Sequence, residues 1–322
     1  NFSRIQFRAI LLPLALSFAF FFLLQGMRTR RLWNFAVAGV IYGLGTYTYI
    51  SFRLSALLVA AALLIWFFQA LKEQWGKRFI VAAVVFSFIA IAITAPLLLY
   101  FFSTPEFFIS RAEGISIFTR ENPLLAFGQS LEKHLAMFYV AGDPNWRHNF
   151  SGNPELSLSA GLFVLIAIAY AIKRWNSIFA LLFIWFFALL LPGALTFEGI
   201  PHSLRVIGVI PAIYALAGLG GILFFSWLKN ILDQKKVHHV LFPILLGFFL
   251  VSSTIIVFNE YFLVWAKMPQ VQDAFGARFV EAGTIANDLP AETKKYVVKS
   301  EGDLPTETVK FIQRTAGRQD AI

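Results

Sequence analysis

Long apolar stretches alternate with short polar loops along most of this chain. Each stretch has about the length that a helix needs to cross ~30 Å of hydrocarbon. The second and third stretches are separated only by Ser51–Arg53, which predicts a tight hairpin. The eight stretches are Phe7–Gln25, Trp33–Ile50, Leu54–Leu71, Phe79–Phe102, Leu156–Ile172, Ser177–Leu195, Val206–Leu228 and Val240–Phe258. The pattern predicts an all-α polytopic membrane protein with about eight transmembrane helices.

The apolar pattern stops after Asn259. A helical pattern then covers Val271–Asn287, a strand-like segment covers Lys295–Val298, and a second helical pattern covers Pro305–Thr315. This order predicts the start of a small α/β domain. We therefore expect a helix bundle over residues 1–259, with a long loop inserted at 103–155, and a separate C-terminal region over 260–322.

The two ends of the chain suggest a piece of a longer protein. The sequence begins at Asn1 without a methionine and enters an apolar stretch almost at once. The strand at Lys295–Val298 also needs partner strands that the sequence does not supply. We expect truncation at both ends.

Composition agrees with a membrane protein and excludes other classes. Hydrophobic residues make up 58% of the chain and charged residues only 14%, far from the balance of a soluble domain. The net charge of +9 comes from basic residues spread over short loops, so it does not predict nucleic-acid binding. The absence of cysteine excludes disulfides and cysteine-ligated metals.

The basic residues also predict orientation. Alternate loops carry clusters of lysine and arginine, and by the positive-inside rule these loops are cytoplasmic. The clusters are Arg28, Arg30 and Arg31; Lys72, Lys77 and Arg78; Lys173 and Arg174; and Lys229, Lys235 and Lys236. The 103–155 loop and the C-terminal region are thus predicted to lie outside the cytoplasm.

Two arginines lie on the predicted outer face, against the charge bias. A guanidinium pairs best with a carboxylate or a phosphate. Arg53 follows Tyr47 and Tyr49, whose hydroxyls we expect to line a cavity. The alternative for Arg53 is a snorkelling residue that anchors the hairpin at the head-group level.

Arg205 follows Glu198 and His202 within a few residues. Together with Arg53, Arg205 and His202 are candidates for binding an anionic phosphate, and Glu198 is a candidate for lining the same cavity. Two alternatives remain open: an ion pair between Glu198 and Arg205, and a structural histidine at the interface.

The long outer loop supplies a further polar group. A predicted amphipathic helix over Pro123–Val140 precedes the segment AGDPNWRHNFSGNPEL, whose prolines and glycines predict a defined turn. Its candidates for contacting a sugar or an acceptor are Asp143, Asn145, Arg147, His148 and Asn149. The alternative is a solvated loop whose polar residues only cap turns.

Metal binding is not predicted. The five histidines, His134, His148, His202, His238 and His239, do not show the spacing of metal ligands along the sequence.

Four segments carry a family resemblance: YGLGTYTYISFR, GDPNWRHNFSGNPEL, PHSLRVIGVIPAIYALAGLG and LPAETKKYVV. Together they resemble the C-terminal part of bacterial GT-C glycosyltransferases, of the protein O-mannosyltransferase and lipid A aminoarabinose transferase family. The resemblance runs through essentially the whole chain. It is more specific for the superfamily than for the substrate.

The resemblance implies an enzyme that takes a sugar from a polyprenyl-phosphate carrier and passes it to a protein, lipid or glycan acceptor. It also implies that transfer takes place on the outer face of the cytoplasmic membrane, which is the inner membrane of bacteria that have two. In that family the catalytic aspartate lies in the first outer loop, and no residue here matches it, so no catalytic residue is assigned. No definite cofactor is implied, and a divalent cation stays open. The competing interpretation is a transporter or flippase of lipid-linked saccharides. That interpretation predicts ionisable residues near the middle of several spans, and the apolar stretches contain almost none.

Overall fold

Most of the residues that the structure describes are in helices, which are joined by irregular loops. This computed structural model describes residues 8–108, 114–234, 238–290, 293–296 and 306–315. The helices are α1 (Leu11–Thr29), α2 (Leu32–Gly45), α3 (Ser55–Lys72), α4 (Gly76–Ser103), α5 (Pro123–Ala136), α6 (Leu158–Lys173), α7 (Ser177–Ala194), α8 (Ile210–Gln234), α9 (His238–Phe258), α10 (Pro269–Ala274), α11 (Ala277–Asp288) and α12 (Thr306–Thr315). The all-α fold class is thus confirmed.

Within the described ranges, six segments are long and apolar enough to cross a membrane. They are Arg8–Thr29, Ile50–Lys72, Gly76–Ser103, Ser177–Ala194, Ile207–Asp233 and Val240–Lys267. Every predicted apolar stretch does form a helix, but α2 and α6 have only 14 and 16 residues. At 1.5 Å per residue they are about 21 and 24 Å long, shorter than the hydrocarbon core. The predicted count of eight spans therefore rests on these two shorter helices.

The chain divides into two compact units, 1–246 and 247–322. The division falls inside α9, earlier than the predicted boundary after residue 259. In the first unit, α2 packs against α1 and α4, α3 against α7, and α6 against α8. Gly220 of α8 lies so close to the backbone of α6 that a β-carbon there would collide with the carbonyl oxygen of Phe163. The glycine-rich ALAGLGG segment is therefore a helix-packing feature.

Large apolar side chains remain exposed along the outer faces of these helices. Phe18 and Phe21 of α1, Phe68 of α3 and Phe88 of α4 are each more than half exposed. An apolar surface of this extent is unfavourable in water but suits contact with lipid chains. The first unit is thus built as a multi-pass membrane bundle.

The loops meet at the two ends of the first unit. At one end, the loop after α1 and the loop after α3 are joined by Arg30 Nη2 and Glu73 Oε2, which lie 3.1 Å apart. At the other end, the backbone of Ser116 pairs in antiparallel fashion with that of Thr196. This pairing joins the loop after α4 to the loop between α7 and α8.

The predicted amphipathic helix of the long loop is present as α5. Its side-chain cap is Asn122, whose Oδ1 accepts a hydrogen bond from the N–H of Leu125 at 3.1 Å. The helix ends at Ala136, earlier than predicted, and Glu155 N–H donates to the carbonyl of Met137 at 2.9 Å. Through this bond the chain lies next to the C-terminal end of α5 again, shortly before α6 begins.

The second unit contains short helices after the end of α9. Gly276, with φ of 70°, separates α10 from α11. Helix α11 packs against α12, where Asn287 Nδ2 donates to the carbonyl of Ile312 at 3.4 Å. Of the predicted strand Lys295–Val298, Lys295 and Tyr296 are irregular, and residues 297–298 lie outside the described residues. The predicted α/β domain is not confirmed.

Candidate functional site

The segment after α5 folds into a compact turn around the carboxylate of Asp143. Asp143 Oδ1 accepts a hydrogen bond from the N–H of Asn145 at 2.8 Å, and the chain closes through Gly152 N–H, which donates to the Asp143 carbonyl at 3.1 Å. A β-carbon on Gly142 would collide with the carbonyl oxygen of Asn153. Glycine is therefore required where these two arms of the turn approach each other.

Asp143 also joins this turn to the loop between α7 and α8. Its Oδ2 accepts hydrogen bonds from the N–H and the Oγ–H of Ser203, both at 2.8 Å, and from His148 Nδ1 at 2.9 Å. Burial alone would raise the pKa of Asp143, but the bonds from His148, Asn145 and Ser203 outweigh it and hold that pKa below its ordinary value. Asp143 is 1% exposed. It is thus a buried, ionised carboxylate that links two loops through its hydrogen bonds.

His202 lies directly beside the carboxylate of Asp143. Its Nδ1 is 4.0 Å from Asp143 Oδ2 and has no hydrogen-bond partner among the described residues, although the atom is buried. Its ring lies 4.8 Å from that of His148, centroid to centroid. Burial, and next the positive charge of Arg205, lower the pKa of His202 to about 4. His202 is thus neutral at pH 7.

His134 of α5 supports the same loop from the other side. Its Nδ1 donates to the carbonyl of Ser130 at 2.8 Å, and its Nε2 accepts from the N–H of His202 at 3.2 Å. The two bonds fix one neutral tautomer. Burial lowers the pKa of His134, and the charge of Arg205 acts in the same direction.

A cavity of about 300 Å³ opens next to Asp143. Its polar wall comes from His148, Asn149, Glu155, Ser203 and Tyr214, and its apolar wall includes Phe138 and Ile213. Glu155 Oε1 accepts from the N–H of Asp143 at 3.2 Å. Burial raises the pKa of Glu155 to about 7. The cavity therefore holds a carboxyl group that gains or loses a proton near neutral pH.

Arg205 is held at the edge of the same cluster. Its Nη1 donates to Thr196 Oγ1 at 2.8 Å and to the backbone carbonyl of Glu198 at 2.6 Å. Both acceptors belong to the loop that also carries His202 and Ser203. The residue is only partly exposed. Burial is the main cause of the lowered pKa of His134 and of His202, and the charge of Arg205 lowers both further.

Arg53 has a different environment. Its guanidinium lies 4.0 Å from the ring centroid of Phe108 and 4.8 Å from that of Phe101, and Nη1 donates to the Phe108 carbonyl at 3.1 Å. These contacts hold Arg53 against the end of α4 through cation–π attraction. Arg205 is instead held by the loop after α7. Among the described residues, the contacts of Arg53 therefore do not connect it to Arg205, the other arginine predicted to bind phosphate.

The remaining predicted residues are placed as follows. Tyr47 is exposed and donates to the carbonyl of Ile93 at 2.8 Å. Tyr49 packs partly buried against the core. Neither tyrosine lines the 300 Å³ cavity, and Glu198 does not line it either, so their assignment as cavity-lining residues stays a prediction.

In the loop predicted to contact a sugar or an acceptor, some residues are exposed or line the cavity, and others are buried or cap the turn. Asn145 caps the turn, since its Oδ1 accepts from the N–H of Arg147 at 3.0 Å. Arg147 itself is exposed, and Asn149 lines the cavity. Asp143 and His148 are buried.

Four residues of the site were not predicted: His134, Glu155, Ser203 and Tyr214. Glu155 closes the GNPEL segment and Ser203 follows His202 directly, so both lay beside recognised motifs. Nothing in one sequence indicates that Glu155 contacts the backbone of Asp143, or that α5 directs His134 towards His202.

Comparison of the chain with known protein families, with curated proteins and with solved structures found no match.

Proposed function

We propose that this chain is part of a membrane glycosyltransferase that transfers a sugar from a polyprenyl-phosphate carrier to an acceptor on the extracytoplasmic face. The family resemblance of four sequence segments and the multi-pass helical bundle support the proposal. So does the meeting of the two motif-bearing loops at one end of the bundle. In this proposal α2 and α6 also cross the membrane, which gives eight spans and puts those loops outside the cytoplasm.

The observation that carries the proposal is the position of Arg205. Its guanidinium is fixed by Thr196 Oγ1 and the Glu198 carbonyl, beside a neutral His202. When the bond between the sugar and the carrier breaks, negative charge accumulates on the departing phosphate. A fixed positive charge stabilises that state more than the ground state, which is what lowers a barrier.

His202 is the second group of the proposed phosphate site, and Arg53 is proposed to contact the same carrier separately. A neutral imidazole has one N–H, which can donate to a phosphate oxygen. A bound phosphate would also offset the charge of Arg205, which now lowers the pKa of His202. Arg53 would serve the carrier at the head-group level, at the end of α4.

The cavity beside Asp143 is the proposed place for the sugar or the acceptor. Asn149 and Tyr214 supply amide and hydroxyl groups, and Glu155 supplies a carboxyl group. These are the side chains that bind hydroxyl-rich ligands. Asp143 is buried and accepts hydrogen bonds through both oxygens, so its proposed role is to fix the loops rather than to activate the acceptor.

The test is transfer activity of Arg205→Ala in membranes that contain the intact protein, with a radiolabelled polyprenyl-phosphate sugar as donor. Loss of one donor that stabilises a transition-state charge typically lowers turnover by roughly 100-fold or more. Arg205→Lys should restore part of the activity, because the charge remains but the two-armed geometry is lost. Arg174→Ala, an exposed arginine after α6, is the control.

Normal turnover of Arg205→Ala, at equal amounts of folded protein, would refute the phosphate-clamp assignment. If the wild-type protein in vesicles moved a labelled lipid-linked saccharide across the bilayer without transferring its sugar, the transporter or flippase alternative would replace the proposal.

A further inference from the structure

Three side chains of metal-ligand type converge where the two loops meet. Asp143, His148 and His202 each place one ligand atom within 4.8 Å of the others. His148 and Asp143 come from the turn after α5, and His202 comes from the loop between α7 and α8. The fold thus creates a cluster that the spacing of histidines along the sequence does not reveal.

The distances are close to those of a metal site. With zinc–ligand bonds of about 2.0–2.1 Å, neighbouring ligands in a tetrahedral site are about 3.3 Å apart. His148 Nδ1 is 2.9 Å and His202 Nδ1 is 4.0 Å from Asp143 Oδ2. Rotation of the two rings would bring both nitrogens towards that separation. His148 would then bind the ion through a deprotonated Nδ1, as the tautomer that carries its proton on Nε2, so that the ion replaces the hydrogen bond between His148 and Asp143.

His202 gives the second, independent indication. Its Nδ1 is buried and has no hydrogen-bond partner within the part of the chain that the structure describes, whereas its own backbone N–H donates to His134 Nε2. Buried nitrogens without a partner are rare, and an ion bound next to them is one of the standard explanations. The atom faces Asp143 Oδ2, the oxygen that any shared cation would use.

We propose that Asp143, His148 and His202 bind a divalent cation, and that Zn²⁺ fits the ligand set best. Two imidazoles and one carboxylate suit zinc, whereas Mg²⁺ and Ca²⁺ prefer sites made only of oxygen. The carboxylate is already oriented by Ser203 and by the N–H of Asn145, as the outer ligands of a metal site require. His134 is not a ligand, because both of its ring nitrogens are engaged.

The three residues leave a fourth coordination position for a water molecule or an oxygen of a cavity ligand. His148 and Ser203 both line the 300 Å³ cavity, so that position is reached from it. The cation would clamp the turn after α5 to the loop that carries Arg205. This proposal does not depend on the proposed transferase activity, because it concerns only the binding of the ion.

The experiment measures zinc bound by the full chain, purified in detergent with any affinity tag removed and equilibrated at a series of buffered free Zn²⁺ concentrations. We expect one zinc per chain. His202→Gln and His148→Gln should each weaken binding by about 100-fold or more, since loss of an outer-shell partner alone costs roughly 10–100-fold. His134→Gln, which removes a neighbouring imidazole but no ligand, should keep one zinc per chain.

Equal zinc binding by the wild-type protein and the double variant His148→Gln/His202→Gln, both monodisperse, would overturn the proposal. If the variants do not fold, Co²⁺ is added to the wild-type protein instead. The visible d–d bands of four-coordinate Co²⁺, displaced by one equivalent of Zn²⁺, would support the site. The absence of those bands would overturn it.

Discussion

Replacement of Asp143 by alanine should destabilise the first unit strongly. The carboxylate accepts four hydrogen bonds, at 2.8 Å from Asn145 N–H, 2.8 Å from Ser203 N–H, 2.8 Å from Ser203 Oγ and 2.9 Å from His148 Nδ1. Asp143→Ala removes the acceptor, so these buried donors lose their hydrogen-bond partner. A buried donor left without its acceptor typically costs about 1–3 kcal/mol. Since four hydrogen bonds are lost together, the expected cost is about 3–5 kcal/mol.

The assay is a thermal melt of the purified protein in detergent, followed by the fraction that remains monodisperse on size exclusion. A loss of about 3–5 kcal/mol corresponds to a fall in Tm of about 10 °C. Asp143→Asn keeps one carbonyl acceptor and should fall between the wild type and Asp143→Ala. Glu121→Ala, an exposed acid of the same outer loop, should change the free energy of unfolding by at most about 0.5 kcal/mol. If Asp143→Ala and Glu121→Ala had the same Tm, the conclusion that Asp143 links the two loops would be refuted.

Further predictions concern the cavity and the turn. The pKa of Glu155 is raised from 4.5 to about 7, so the folded state holds a proton that the unfolded chain releases, and stability falls as pH rises through that window. Thermal melts from pH 4 to 8 should show that the free energy of unfolding of Glu155→Gln equals that of the wild type at the acidic end. Above pH 7 it should exceed that of the wild type by roughly 3 kcal/mol. The pKa of His202 is lowered from 6.5 to about 4, so its contribution has the opposite sign: stability falls as pH drops through that window, and His202→Gln should reduce this loss. Gly142→Ala places a β-carbon against the carbonyl of Asn153 and should cost about 1–3 kcal/mol, measured by the same melts; an unchanged Tm would show that the turn can relax there.

The helices could be predicted because burial in hydrocarbon imposes a simple rule on the sequence. A helix that crosses lipid must be apolar over its whole length, and this signal is local. The ends were harder to place: α1 was predicted to end at Gln25, but the helix continues to Thr29. The polar residues there still satisfy their backbone hydrogen bonds by remaining helical, and near a membrane surface they need not leave the helix to reach water.

The site could be predicted only in part, because its contacts join distant segments. Asp143, His148, His202 and Arg205 were all candidates, but the bond between Asp143 and Ser203 spans 60 residues and has no local signature. Arg53 illustrates the same limit. Its aromatic partner Phe108 lies 55 residues further along the chain, so the sequence indicated a costly charge but not what stabilises it.

The hydrogen bonds between Asp143 and Ser203 have a consequence for biogenesis. A membrane protein is inserted from its N-terminus during synthesis, so the turn that carries Asp143 reaches its side of the membrane before α6 and α7 have been made. The carboxylate lacks its Ser203 donors until the loop after α7 has arrived on the same side. If only one of α6 and α7 crossed the membrane, Ser203 would lie on the side opposite to Asp143. Completion of the site therefore requires that α6 and α7 either both cross or both stay out of the membrane.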